Sequence, residues 1–248
     1  RELGELEGLR DLTVTTNGTQ LDRFATDLRA AGVTRINVSL DTLRADRFKA
    51  LTRTGKIEQV LRGLDAAQAA GFDRVKLNAV VLKNRNHDEV HDLVAFAIGR
   101  GIDISFIEEM PLGMVGEHDR AECYYSSDEI RGDLSRHYQL LPTTETTGGP
   151  SRYFRIPDVE TRIGFISPHS HNFCEQCNRV RLTSEGRLLL CLGQEHSVDL
   201  RRVVRANPGD DEALRKAIIA SMDVKPRGHD FNLEAKPIIF RHMNHTGG

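Results

Sequence analysis

The chain has 248 residues, 39% hydrophobic and 28% charged, enough to bury a real core in one large domain or in one domain with an appendage. Its 34 Lys and Arg nearly balance 36 Asp and Glu, and the formal charge of −2 excludes a global pull toward nucleic acid or an anionic membrane, so any anionic ligand must be held by local basic residues. Apolar runs such as 163–166 and 188–192 are far too short to span a bilayer, and nothing resembles a secretory leader, so the expected location is cytoplasmic.

The chain opens at Arg1, without a methionine, in a polar helix-like run (Glu2, Leu3, Leu6, Leu9), and is expected to be a fragment. From there to about residue 107, short β-branched runs alternate with stretches of helical period. Strands are predicted over 12–16, 35–40, 75–81 and 102–107, and helices over 21–31, 57–70 and 89–99. Gly32, Gly71 and Gly101 each fall where a helix needs a left-handed residue to end it. Regular alternation of this kind predicts parallel βαβ units in a barrel or a doubly wound sheet, with ligand contacts at the C-terminal strand ends. After Met110 the rhythm changes: a helix is predicted over 126–138, and a turn-rich linker over 143–151. Short strands at 153–156, 162–166, 180–183 and 187–192 are expected to carry the cysteines, and helices at 198–205 and 211–222 follow. The expected domains are therefore 1–142 and 143–248. No internal repeat or low-complexity tract is present.

The four cysteines are lopsided: Cys123 stands alone, expected as a free, partly buried thiol, while Cys174, Cys177 and Cys191 cluster. Two thiolates three residues apart can grip one metal centre, and a third from a neighbouring hairpin completes a three-thiolate cradle. On spacing alone, an iron–sulfur cluster with one open iron and a structural zinc completed by His169, His171 or His196 are equally supported. Asn178-Arg179-Val180-Arg181 follows directly. Were 180–183 a strand, Arg179 and Arg181 would project from one face beside the metal, suited to a polyphosphate.

Phe165-Ile166-Ser167-Pro168, then Phe173-Cys174-Glu175-Gln176-Cys177-Asn178-Arg179-Val180-Arg181-Leu182-Thr183-Ser184-Glu185-Gly186 and Cys191-Leu192, resembles the C-terminal cluster motif of the GTP 3′,8-cyclase family of radical S-adenosylmethionine enzymes. Thr15-Thr16-Asn17-Gly18, Asn37-Val38-Ser39-Leu40-Asp41, Lys76-Leu77-Asn78 and Phe106-Ile107-Glu108-Glu109-Met110-Pro111 are similar to successive strand ends of the same family. Lys225-Pro226-Arg227-Gly228-His229 and the terminal Gly247-Gly248 are similar to its tail.

The resemblance implies a partial parallel (β/α) barrel of radical-SAM type with a C-terminal iron–sulfur segment, and radical cyclisation of GTP to 3′,8-cyclo-7,8-dihydro-GTP in molybdenum cofactor biosynthesis. In that chemistry a 5′-deoxyadenosyl radical takes hydrogen from ribose C3′, and the carbon radical attacks C8 of guanine. It further implies that Cys174, Cys177 and Cys191 ligate an auxiliary [4Fe–4S] cluster, and that Thr15, Lys76, Arg179, Val180 and Arg181 contact GTP. Ser39 and Met110 would contact S-adenosylmethionine, and Gly247 and Gly248 would be catalytic. Cyclic pyranopterin monophosphate synthase would be the downstream partner, and a homodimer is compatible with the resemblance. Family members also carry a Cys-x-x-x-Cys-x-x-Cys motif that does not occur in this sequence, so the chain alone is expected to be inactive. Milder departures are Ser105 where an arginine is usual, Glu109 where an aromatic is common, and Asn84 where glycine is frequent, a position at which Asn tolerates a left-handed backbone. Two other readings remain open: a peptide-modifying radical enzyme, and a non-enzymatic domain stabilised by zinc.

Overall fold

The computed structural model describes residues 1–113, 119–229 and 231–233. They fall into two compact units: Arg1–Glu109 with Cys123–Ser170, and Met110–Glu122 with the chain from His171 onward. In chain order the elements are β1 (Thr13–Thr16), α1 (Leu21–Ala30), β2 (Arg35–Ser39), α2 (Ala45–Thr52), α3 (Ile57–Ala69), β3 (Arg74–Val80), α4 (Val90–Arg100) and β4 (Asp103–Ile107). The single turn α5 (Arg120–Cys123), then α6 (Ser127–Leu134), β5 (Leu141–Pro142), β6 (Arg152–Arg155) and β7 (Arg162–Ile166) follow.

The first unit is built on a seven-stranded sheet of order β1-β2-β3-β4-β7-β6-β5. Strands β1, β2, β3, β4 and β7 run parallel, and β6 and β5 add an antiparallel edge. This is the α/β class expected of a partial (β/α) barrel. Strict alternation builds it. Ile36 and Val38, Val75, Leu77 and Ala79, Ile104 and Phe106, and Ile163 and Phe165 are buried on one face against Leu21, Ala25, Val60, Leu64, Leu93, Val94 and Ala97 of the helices. The residues between them, among them Asn37, Lys76 and Asn78, are polar and line the other face. Gly101 ends α4 at φ 64°, its N–H directed to the Ala97 and Ile98 carbonyls, and Gly32 and Gly71 also have positive φ. Asn84 adopts φ 60°, the left-handed backbone anticipated for it.

Three expectations are corrected. The strands near 153–156 and 162–166 were placed with the cysteines, under a boundary at 142/143; they are β6 and β7 of the main sheet, and the units divide at 109/110, 122/123 and 170/171. The reason is apolar complementarity, since Ile104 pairs with Ile163 and Phe106 with Phe165. Helix α2 was not anticipated, because Phe48 is its sole buried side chain and it has no apolar stripe to reveal it. The helix expected from 126 to 138 stops at Leu134; its start is a capping box, Ser126 Oγ accepting from Glu129 N at 3.1 Å and Glu129 accepting from Ser126 N at 2.9 Å.

The second unit holds a three-stranded antiparallel sheet of order β10-β9-β8, made of β8 (Arg181–Leu182), β9 (Arg187–Leu189) and β10 (Ser197–Asp199). Helices α7 (Leu200–Ala206) and α8 (Asp211–Asp223) begin at Asp199 and Asp210, whose carboxylates accept from Arg202 N and Ala213 N. Leu188, Leu190 and Leu200 form its small core with Val198, Leu214 and Ala217. The helix predicted from 198 starts two residues later because Val198 and Asp199 pair with β9. Gly247 and Gly248 lie outside the described residues. No helix among the described residues is long and apolar enough to cross a membrane.

Candidate functional site

In the first unit the parallel register lays polar side chains side by side. Thr15 faces Asn37, which faces Lys76, and Asn37 Nδ2 donates to Thr15 Oγ1 at 3.2 Å. Two residues nearer the carboxyl ends, Ser39 faces Asn78, and Asn78 faces Ser105. Side chains two apart share a face, so Thr15, Lys76 and Ser39 are gathered on one polar surface. Asn78 Oδ1 is buried there without a hydrogen-bond partner among the described residues. An orphaned acceptor of that kind costs about 1–3 kcal/mol, and a donor on a bound ligand recovers it. Asn78 was not among the expected contacts, although its two-residue spacing from Lys76 was the signal for it.

Beyond Asn78 the face is filled by a hydrogen-bonded layer. Ser105 Oγ lies 3.0 Å from Ser151 Oγ, and the Tyr153 hydroxyl lies 3.0 Å from Thr147 Oγ1. Gly164 makes room for them: a Cβ there would meet Ser151 Oγ, Ser105 Oγ and, at 2.9 Å, Tyr153 Cε1. The Arg162 guanidinium sits 5.0 Å from the Tyr153 ring centroid and is ion-paired with Asp103, both side chains buried. Burial alone would raise the Tyr153 phenol. The Lys76 ammonium, hydrogen bonds with Thr147 and Ser151, and the Arg162 charge outweigh it and hold the phenol below its usual range.

Two carboxyls brace the strand ends. Burial pushes Asp41 up to about 6 against the Val80 amide, which donates to Asp41 Oδ1 at 2.8 Å. Glu108 is fully buried and accepts from Ser127 N at 2.9 Å, His169 N at 3.0 Å, Ser170 N at 3.1 Å and the Ser170 hydroxyl. Burial works to raise it, but these donors prevail and keep it below the ordinary glutamate range.

Met110, Arg179, Val180, Arg181 and the three clustered cysteines belong to the second unit. Strand β8 is shorter than anticipated and excludes Arg179, so period-two alternation does not place the arginine pair. The two guanidiniums are nonetheless within electrostatic reach: burial first, then the Arg179 charge, pulls Arg181 below the usual arginine range. A half-buried guanidinium beside a second one is a setting that an anion stabilises. Val180 is exposed at 42%.

Cys174 opens a single 3-10 turn that Cys177 closes, Cys177 N donating to Cys174 O at 3.0 Å, and Cys174 N is held by Asn172 Oδ1 at 2.7 Å. Burial pushes the Cys191 thiol up, opposed by the Gly193 amide, and the Cys174 and Cys177 charges add to the rise. All three are free, half-buried thiols in one unit, electrostatically coupled, and that donor chemistry fits an iron–sulfur group held through three cysteines. Among the described residues no group of three or more His, Cys, Asp or Glu side chains is placed to hold a single metal ion. Of the histidines a zinc site would draw on, His169 Nε2 is 2.9 Å from Glu109 O and His196 Nδ1 is 2.9 Å from Gln194 Oε1. Cys123 is free, and its carbonyl accepts from Lys83 N at 2.8 Å.

Residues 1–97 match the model of the Radical SAM superfamily, and residues 102–231 match that of Molybdenum Cofactor Synthesis C. The solved structure of SuiB from Streptococcus suis bound to S-adenosylmethionine superposes with a TM-score of 0.50 at 14% identity, over 75% of this chain and 45% of that one, a likeness of fold. The parallel α/β sheet is thus that of a radical S-adenosylmethionine protein. The GTP 3′,8-cyclases of Marinobacter nauticus and Pseudomonas syringae pv. syringae are each 58% identical over 248 residues, 100% of this chain and 75% of theirs. That of Pseudomonas putida is 59% identical over 247 residues. The chain belongs to the GTP 3′,8-cyclase family.

Proposed function

We propose that this chain carries the substrate-holding parts of a GTP 3′,8-cyclase, which converts GTP to 3′,8-cyclo-7,8-dihydro-GTP in molybdenum cofactor biosynthesis. The observation that carries the reading is the likeness to GTP 3′,8-cyclases over the whole chain. The geometry supports it. Lys76 and Thr15 on the polar sheet face would take GTP, and Ser39 on the same face, with Met110, would take S-adenosylmethionine. Asn78 would receive a hydroxyl or amine hydrogen of one of these nucleosides on its unpartnered oxygen. Arg179 and Arg181 would bear anionic charge of GTP, with the Val180 backbone between them. Cys174, Cys177 and Cys191 would hold an auxiliary [4Fe–4S] cluster. When bound, S-adenosylmethionine supplies the radical and the auxiliary cluster an open iron for the purine. The chain's own task is then positioning, since selectivity in a radical cyclisation follows from a fixed approach of C3′ to C8. The reading places the protein in the cytoplasm, with the enzyme that forms cyclic pyranopterin monophosphate as the consumer of its product.

The test is the iron and acid-labile sulfide content of the chain purified without oxygen, together with a GTP titration. About four irons and four sulfides per chain, with GTP perturbing the cluster spectrum, is the expected result. Stoichiometric zinc without sulfide, and no response to GTP, would favour the zinc-stabilised domain instead. Arg179→Ala and Arg181→Ala should each weaken GTP binding, and unchanged affinity in both would remove the arginines from the site.

A further inference from the structure

Residues 174–179 and 190–194 approach one another without sharing a strand pair, since β8 pairs with β9 only through Arg181↔Leu189 and Leu182↔Leu188. What laces them together is the stretch after α8. Lys225 Nζ donates to Arg179 O at 2.7 Å and to Leu190 O at 2.5 Å. Gly228 O accepts from Gln194 Nε2 at 3.1 Å, and His229 Nε2 lies 3.3 Å from Asn172 Nδ2, whose own oxygen holds the Cys174 amide. The strap lies close over the loop: a Cβ on Gly193 would meet His229 Cβ and Phe231 at 2.7 Å.

Within that strap the Lys225 ammonium reaches both sides. Arg179 lies two residues after Cys177, and Leu190 immediately precedes Cys191, so one ammonium fixes the separation of the paired cysteines from the third.

We propose that Lys225 is a positioning residue for the three-cysteine site: it ties the Cys174–Cys177 turn to the Cys191 loop through two backbone carbonyls and sets a fixed positive charge beside the thiolates. The assignment rests on the auxiliary cluster proposed above. Three consequences follow from elementary chemistry. Losing the tie lets the third thiolate drift, which weakens retention of the group. Losing the charge disfavours the more negative, reduced state, which lowers the reduction potential. Arginine keeps both donors and the charge, and so restores both properties.

The experiment compares the wild-type chain with Lys225→Met and Lys225→Arg, all purified and reconstituted without oxygen, by iron and sulfide content, rate of iron loss to a chelator, and potentiometric titration. Lys225→Met is expected to lose iron roughly tenfold or more faster, the scale of outer-shell effects at metal sites, and to show a more negative potential, with Lys225→Arg close to wild type. Wild-type retention and potential in Lys225→Met would overturn the role of Lys225 while leaving the cluster in place. A wild-type chain without sulfide would instead defeat the cluster reading itself. If Lys225→Met fails to fold, Lys225→Gln, which keeps an N–H2 donor group on a shorter side chain and drops the charge, is read by the same measures: an unshifted potential with wild-type retention overturns the proposal.

Discussion

Glu108 accepts the Ser127 amide at 2.9 Å, so the end of β4 and the first turn of α6 share one buried carboxylate. With the His169 and Ser170 amides on its other oxygen, Glu108 ties together three segments that precede and follow the 110–122 excursion. Glu108→Gln turns one acceptor into a donor facing N–H groups, and should cost roughly 2–4 kcal/mol in chemical denaturation. The pH dependence follows from the same donors. A carboxyl held below its unfolded value adds stability above that value and loses it on acidification, so wild type should weaken as pH falls below about 4.5 more steeply than the variant.

Asp41 should behave in the opposite sense. Its folded value, about 6, lies above the unfolded 3.8, so its contribution is fully present below 3.8 and is lost as pH rises through 6. Asp41→Asn retains an oxygen for the Val80 amide and removes the ionisation. Thermal melts from pH 4 to pH 8 should show the variant gaining up to roughly 3 kcal/mol on wild type across that window.

Gly164→Ala places a methyl group against Ser151 Oγ, Ser105 Oγ and the Tyr153 ring. Overpacking of this kind should cost about 1–3 kcal/mol. Adding Ser151→Ala opens space at the tightest contact, and a denaturation series should show part of the loss recovered.

Asn78→Ala separates stability from binding. Since Asn78 Oδ1 has no partner among the described residues, removing it should leave the denaturation midpoint nearly unchanged or raise it. Affinity for GTP or for S-adenosylmethionine should nevertheless fall about tenfold, as when one hydrogen bond to a bound nucleoside is lost. Titration of each ligand shows which nucleoside the oxygen serves.

The sequence was legible where chemistry is local. The strands at 13–16, 35–39, 74–80 and 103–107 announce themselves by β-branched alternation, and the glycines at 32, 71 and 101 by the helices they close. Long-range pairing was not legible. Ile163 and Phe165 read equally well as part of a small cysteine-bearing sheet, and only their partners Ile104 and Phe106 decide the matter. At the site, Thr15 and Ser39 were visible as strand-end residues, whereas Lys76, expected at a strand end, is the third residue of the seven-residue β3, because that strand runs on to Val80. Lys225 was visible only as part of a tail motif, because its work is done on carbonyls 46 and 35 residues away. Asn78 lay within a quoted motif, but the vacancy of its oxygen is a property of packing.

Strand β7 pairs parallel with β4 and antiparallel with β6. The two partnerships differ in how much chain must be gathered before they form. The β6–β7 hairpin needs only the short turn after Arg155, whereas the β4–β7 ladder must close everything between Ile107 and Arg162, a loop whose entropy rises with length. Loop-closure entropy favours the shorter closure, so the β6–β7 hairpin, which carries Tyr153, is expected to form ahead of the β4–β7 ladder. On that order of events the hairpin reaches the sheet with Ser151 and Tyr153 already on it, and β4 adds only Ser105 to complete the polar layer.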